Sequence, residues 1–89
     1  MITIEKLMDN KYRITVNKTK TTVHEVGVSS DYYKKLTGGS VPVEVLIEKS
    51  FLFLLERESN TSILGKFDLP LIGRSFPEYE RVIKDKFIS

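Results

Sequence analysis

The stretch from Pro42 to Glu58 constrains the fold of this chain more than any other part of the sequence. Its apolar residues recur with the period of an amphipathic helix, and its main stripe consists of Val43, Ile47, Phe51 and Leu54. Val45 and Leu52 fall off that stripe and, being seven residues apart, share one side of the helix. Either later segments of the chain cover these two side chains, or they mark a dimer seam or a ligand groove.

Three strands are predicted before this helix, within residues 2–28. Apolar and polar residues alternate there, which is typical of strands with one buried face. The side chains expected on that face include Ile2, Ile4, Tyr12, Ile14, Val16, Thr22, Val26 and Val28. The connections at Asp9-Asn10 and at 17–20 are short, and parallel neighbours would require a long crossover, so we expect an antiparallel meander.

Two further helices are indicated by their end signals. Ser29 or Ser30 is suited to cap a short helix that stops at Gly38-Gly39, because glycine adopts the left-handed conformation at little cost. Ser40 is expected to cap the long helix. The spacing of Ser75-Phe76-Pro77-Glu78 is that of a capping box and predicts the start of a C-terminal helix.

The predicted fold class is α+β: a three-stranded antiparallel β-meander followed by a short helix, a long central helix and a C-terminal helix. With 89 residues the chain has the length of one domain, which we expect to span 1–89. The apolar, irregular segment 60–75 either packs on the core or serves as a docking strip. The core is expected to contain Ile4, Tyr12, Ile14, Val16, Val26, Val28, Leu36, Ile47, Phe51, Leu54, Tyr79, Ile83 and Phe87.

The composition and the start of the sequence indicate the cellular compartment in which the protein resides. The chain has no cysteine, which fits a reducing cytosol. Its start lacks the basic and apolar stretches of a signal peptide. The longest unbroken apolar run, Phe51–Leu55, is far shorter than the ~20 residues that span a bilayer. We therefore expect a cytoplasmic protein without membrane contact.

Neither catalysis nor metal binding is expected. His24 is the only histidine, and with no cysteine beside it the usual zinc ligand sets are missing. It shares strand parity with Val26 and Val28, so we interpret it as a hydrogen-bonded structural residue rather than a general base or pH switch. Gly38-Gly39 lacks the spacing of a phosphate-binding loop. The chain is predicted to be no enzyme and to need no cofactor.

Four cations make the predicted N-terminal hairpin basic: Lys11, Arg13, Lys18 and Lys20. Such a group can neutralise phosphates, although the net charge of the whole chain is only +2. The outward face of the sheet also carries Glu5 and Glu25, which are well placed for cross-strand pairing with Arg13 or Lys11. A solvated face of mixed charge is therefore the alternative to a nucleic-acid contact.

The chain resembles a family of small, uncharacterised prokaryotic proteins in the segments YYKKLTGG, LIEKSFLFLLERESNTSIL and FPEYE. This resemblance implies a compact soluble domain, and from it we expect a polar residue where Leu52 stands. From about Thr21 to Glu58, the order VHEVGVSSDYYKKL…SVPVEVLIEKSFLFLLERE also resembles a ribbon-helix-helix DNA-binding domain. That fold implies a dimer that reads the major groove with one strand from each subunit.

The sequence thus predicts a small non-enzymatic protein-interaction or regulatory module that self-associates, with Val45 and Leu52 near the contact. The alternative is nucleic-acid binding, through a ribbon-helix-helix dimer or through the basic hairpin. A third hypothesis is a small hydrolase or ligand binder built around His24 and the tyrosines. It requires a concave pocket with convergent polar groups.

Overall fold

The computed structural model describes residues 1–88. Within them the sheet contains four strands: β1 (Ile2–Met8), β2 (Lys11–Asn17), β3 (Thr21–Gly27) and β4 (Lys66–Asp68). The α-helices of this part of the chain are α1 (Ser30–Thr37), α2 (Val43–Leu55), α3 (Leu71–Ser75) and α4 (Tyr79–Phe87). A single 3₁₀ turn at Asn60–Ser62 lies between α2 and β4. The α+β class and the order of three strands followed by helices are as predicted.

The sheet is mixed, and the predicted three-stranded meander is therefore incomplete. Its strand order is β1-β2-β3-β4, with β1, β2 and β3 antiparallel and β4 parallel to β3. The tight turn between β1 and β2 places Asn10 in the left-handed region, with φ 65°. Asparagine tolerates this conformation better than most residues, which is why Asp9-Asn10 signals a turn.

Backbone hydrogen bonds on both sides of β4 hold it against β3. The amide of Glu25 donates to the carbonyl of Gly65 at 2.8 Å, and the amide of Leu69 donates to the carbonyl of Gly27 at 2.9 Å. Between these bonds, Phe67 lies opposite Val26 and turns toward the core. The segment after α2 thus returns to the sheet, with α1 and α2 forming the crossover that a parallel pair needs.

The short helix α1 has the predicted ends. The hydroxyl of Ser29 accepts a hydrogen bond from the amide of Tyr32, so Ser29 is the N-cap. Gly38 closes the helix in the left-handed conformation, with φ 68°, and its amide donates to the carbonyl of Lys34.

The predicted caps of the two later helices are wrong. Pro42 precedes α2 without a side-chain cap, and Ser40 instead donates its hydroxyl hydrogen bond backwards, to the carbonyl of Thr37. The last helix starts at Tyr79 after an uncapped Glu78, because Ser75 already belongs to α3. The long helix is also shorter than predicted, since α2 ends at Leu55 rather than near Glu58.

One hydrophobic core lies between the inner face of the sheet and the helices. Among the residues predicted for it, Ile4 and Phe87 are half-buried and all the others are buried. The core also takes in side chains that the pattern did not single out: Tyr32, Leu46, Phe53, Ile63, Leu69 and Ile72. Three of these come from segment 60–75, so that segment packs on the core.

The joint between α2 and α4 is closed by aromatic and polar contacts. Phe53 meets Tyr79 edge-on, with ring centroids 5.2 Å apart. The guanidinium of Arg57 lies 3.5 Å from the centroid of the Phe53 ring and donates to the Glu78 carboxylate at 3.2 Å. This joint fixes which side of α2 is buried and leaves the opposite side exposed. None of the helices in the described residues is long and apolar enough to cross a membrane.

Candidate functional site

The outer side of α2 carries the apolar residues that its buried side does not use. Its buried residues are Leu46, Ile47, Ser50, Phe51, Phe53 and Leu54. Leu52 points away from them and is 45 % exposed, whereas Val45, two turns earlier, is half-buried. The chain therefore covers Val45 in part and leaves Leu52 largely open to solvent.

Leu52 lies in a groove where the C-terminal half of α2 meets the start of β1. The groove has a volume of about 380 Å³. Its apolar part is formed by Met1, Ile2, Leu52 and Leu55, and its charged rim by Lys18, Glu48 and Glu56. We call this set of residues the β1–α2 groove. It joins an exposed leucine to an edge of the sheet, since β1 has β2 on one side only.

The basic hairpin has fewer available cations than its composition indicates. Arg13 donates to the Glu5 carboxylate at 2.9 Å, and Lys11 Nζ lies 3.6 Å from Glu25. Both pairs are cross-strand neighbours on the outer face of the sheet, and Lys66 of β4 adds a second cation beside Glu25 at 3.5 Å. The cations of this face already lie beside carboxylates, so phosphate contacts there would compete with existing ion pairs.

Lys18 and Lys20 differ from the other two cations of the hairpin. Both are exposed in the turn between β2 and β3, and no carboxylate of residues 1–88 lies within ion-pair distance of either. An electrostatic contact of the hairpin with nucleic acid would therefore rest mainly on these two side chains.

The ribbon-helix-helix geometry would require β3 to lie at an edge. In the folded chain β3 pairs with β2 along its whole length and with β4 at its C-terminal end. A strand of a second subunit therefore cannot pair with β3 unless β3 first leaves these neighbours. The long edge of the described sheet belongs to β1.

His24 is buried and hydrogen-bonded through both ring nitrogens. It is 2 % exposed, with Nδ1 2.8 Å from the carbonyl of Leu64 and Nε2 2.8 Å from the hydroxyl of Thr22. A carbonyl can only accept, so Nδ1 carries a hydrogen, and in the neutral ring Nε2 then accepts from Thr22. Asn60 donates to the same hydroxyl at 2.9 Å. His24 is thus inward-facing and hydrogen-bonded, as predicted, and it joins the 60–65 segment to β3.

The tyrosines of the third hypothesis also lie in structural contacts. The hydroxyls of Tyr79 and Ser50 are 2.6 Å apart in the core, and burial raises the pKa of Tyr79 well above its usual value. Tyr32 donates to the Glu80 carboxylate at 2.8 Å, and burial followed by that bond raises the pKa of Tyr32. Neither hydroxyl is activated as a nucleophile or base by these surroundings.

Glu80 connects α1 to α4. Burial alone would raise the pKa of its carboxyl, but the hydrogen bond from Tyr32 and the Lys35 ammonium 3.1 Å away outweigh burial and lower that pKa. The group is thus held ionised as part of a structural contact. Across residues 1–88, His, Asp and Glu side chains nowhere gather in the threes that would hold a metal ion.

A second apolar surface borders β4, at the other edge of the sheet from β1. The C-terminal end of α2, the 63–67 segment and α3 line an open pocket of about 50 Å³. Its walls are mainly Leu54, Ile63, Leu64, Phe67, Leu71, Ile72 and Phe76. Leu64 is 56 % exposed at its edge, and His24 is not among its lining residues. Glu58 and Ser75 also line the pocket, whereas His24 and the tyrosines do not, so the pocket does not bring together the groups that the third hypothesis requires.

Comparison with known proteins finds no relative of this chain. Neither a protein-family model, nor a curated protein, nor a solved structure matches the chain. Both family resemblances therefore stay predictions, and the functional argument rests on the chain's own surfaces.

Sequence reasoning found Leu52 and missed its neighbours in the groove. Leu52 is visible in the sequence because it breaks the helical stripe of α2. Met1 and Ile2 give no such signal, because only the packing of α2 over β1 brings them beside Leu52. The charged rim of Glu48 and Glu56 is likewise set by tertiary structure.

Proposed function

We propose that this chain is a non-enzymatic interaction module that associates with a second copy of itself through the outer side of α2. The observation that carries the proposal is the position of Leu52. It is 45 % exposed on a helix that is otherwise well packed, and it lies in the β1–α2 groove beside Met1, Ile2 and Leu55. Contiguous apolar surface with a polar rim is typical of interaction sites.

The charges of the groove favour a second copy as the partner. Its rim carries both signs, Lys18 on one side and Glu48 and Glu56 on the other. In a twofold dimer both copies use the same surface, so a surface that carries both signs can form complementary contacts with its copy. The process that such a module regulates would respond to protein concentration, because dimer formation follows mass action.

The free energy gained by burying Leu52 in the dimer shows how much of the interface other residues must supply. Burying a whole leucine side chain contributes about 1.5–3 kcal/mol, so completing the burial of this partly exposed one contributes roughly 1 kcal/mol on each copy. A micromolar dimer requires about 8 kcal/mol. Leu52 is therefore the centre of the proposed contact, and other groups near it must supply most of the affinity.

Light scattering over a range of protein concentrations tests this proposal. We expect the parent chain to approach twice the mass of one chain as concentration rises. Leu52→Glu would place a carboxylate in the contact beside Glu48 and Glu56, so it should weaken the dimer by about tenfold or more.

Leu64→Glu is the matched control, since it changes a comparably exposed leucine beside β4, at the other edge of the sheet from β1. It should leave the mass curve of the parent unchanged. A parent that stays monomeric, or a dimer that Leu64→Glu disrupts and Leu52→Glu does not, would contradict the proposal.

A further inference from the structure

The outer edge of β1 presents a row of backbone groups that are free to pair. Met1 and Asn17 exchange hydrogen bonds of 2.9 Å and 2.8 Å, which marks them as a hydrogen-bonded pair of the β1–β2 ladder. Such pairs alternate along an antiparallel ladder. The N–H and C=O of Ile2, Ile4 and Lys6 therefore point away from β2, toward the open side of the strand.

We propose that β1 of a second copy pairs antiparallel with this edge, with Ile4 opposite Ile4 of the partner subunit. The inference rests on the self-association proposed above and specifies its geometry. The two sheets would become one sheet of eight strands, and both copies of α2 would lie on the same face of it. The twofold axis would pass beside Ile4.

The pairing register of the two β1 strands is the one that uses all the outward-pointing N–H and C=O groups. With Ile4 opposite its own copy, Ile2 faces Lys6 of the partner subunit, and the reverse pair forms by symmetry. Each of these pairs exchanges two hydrogen bonds, so every outward group of Ile2, Ile4 and Lys6 is used. Centring the axis on Thr3 would set Lys6 opposite no residue of β1 (Ile2–Met8). Centring it on Glu5 would leave Ile2 unpaired and set two like carboxylates in direct opposition, which is unfavourable.

The same register gives complementary charges. It brings Lys6 of the partner subunit alongside Ile2, at the β1–α2 groove that Glu48 and Glu56 line. The long aliphatic part of lysine can cover Leu52 while its ammonium reaches these carboxylates. The Lys6 side chain is 52 % exposed, and among residues 1–88 its ion-pair partner is the almost fully solvated Asp9, at 3.6 Å. Lys6 therefore loses little when it moves to the groove.

The rest of the sheet favours a closed dimer over an open chain of copies. A β-bulge between Lys6 and Met8 shifts the register and ends the outward row of β1. The opposite edge is β4, which has three residues and exposes the charges of Lys66 and Asp68. Short, charged edges resist pairing. Pairing β1 with β1 thus uses the one long edge of the described sheet and leaves none for further growth.

A charge-swap experiment tests the register directly. In a dimer of Lys6→Glu the new carboxylate should be repelled by Glu48 and Glu56 of the partner subunit. In a dimer of the double variant Glu48→Lys, Glu56→Lys, the new ammonium groups should repel Lys6 of the partner subunit. Each variant should therefore dimerise about tenfold or more weakly than the parent. Mixing the two variants should restore the dimer. In the mixed dimer, position 6 of each chain faces a groove of opposite charge on the other chain. Lys34→Glu is the control, as it makes the same change of charge on exposed α1.

Amide hydrogen exchange supplies an independent readout. The amides of Ile4 and Lys6 should exchange rapidly in dilute solution and slow down as the dimer forms. Those of Thr3 and Glu5 bond to β2 and should be protected at every concentration. A dimer that Leu52→Glu disrupts, but without rescue on mixing and without slowing at Ile4 and Lys6, would overturn β1 pairing and leave the proposed function standing. A monomer at every concentration would overturn both.

Discussion

At the residue scale, Gly38 is held in a conformation that other residues avoid. It ends α1 with φ 68°, and its absent side chain would meet only Ile88, at an ordinary distance of 3.7 Å. Gly38→Ala should therefore lower the free energy of unfolding by about 1 kcal/mol, through backbone strain rather than a clash. Urea unfolding followed by circular dichroism measures this change.

Gly65→Ala is the matched control for that substitution. Gly65 has an unstrained φ and open space where a methyl group would lie. Alanine there should be neutral or slightly stabilising, since it restricts the unfolded chain. Equal losses in the two variants would mean that the left-handed cap of α1 does not matter for stability.

Individual positions were predictable from sequence where a local pattern determines them. Ser29, Gly38 and Asn10 follow from the backbone conformations that caps and turns require. His24 was placed inward by strand parity. Its long-range partner was not predicted, because the carbonyl of Leu64 comes from forty residues further along the chain.

At the element scale, the contact between α1 and α4 should depend on pH. Hydrogen bonding from Tyr32 and the charge of Lys35 lower the pKa of Glu80 in the folded chain. A carboxyl with a lowered folded pKa contributes stability that is complete above its unfolded pKa of about 4.3 and is lost as pH falls through the folded value. Acidification below about pH 4 should therefore weaken this contact.

Glu80→Gln tests that dependence. The variant should be less stable than the parent at pH 7, and the difference should shrink as pH falls toward 3. Urea unfolding at several pH values measures both effects. Asp85→Asn removes a charge from the same helix at an exposed position without an ion pair among residues 1–88, so it should not reproduce them. A constant difference between Glu80→Gln and the parent would contradict the role of the charge.

Strands and helices that are long enough for their apolar pattern to repeat were predictable from the sequence. Elements that depend on tertiary contacts were not. β4 has three residues and one inward side chain, Phe67, which is too little for a period to show. Ser40 and Ser75 have the chemistry of caps, but the chain uses Ser40 to close the turn after α1 and Ser75 to end α3. Cap residues indicate that a helix boundary is near without fixing which helix they serve.

At the scale of the whole molecule, the two edges of the sheet are unequal. β1 is long and borders the apolar β1–α2 groove, whereas β4 is short and charged. Sequence predicted the strand-then-helix layout and left open whether Leu52 is covered, but the edges follow from how β4 returns to β3. The proposed dimer uses the long edge, and both proposals depend on this asymmetry.

The central claim is that the chain associates with itself through the outer side of α2. The most direct measurement is a dilution series of ¹⁵N–¹H correlation spectra, which reports on each backbone amide separately. We expect concentration-dependent shifts at Val45, Leu52 and Ile2, and none at Leu64. Spectra that do not change with concentration, or shifts confined to the 63–76 surface, would contradict the claim.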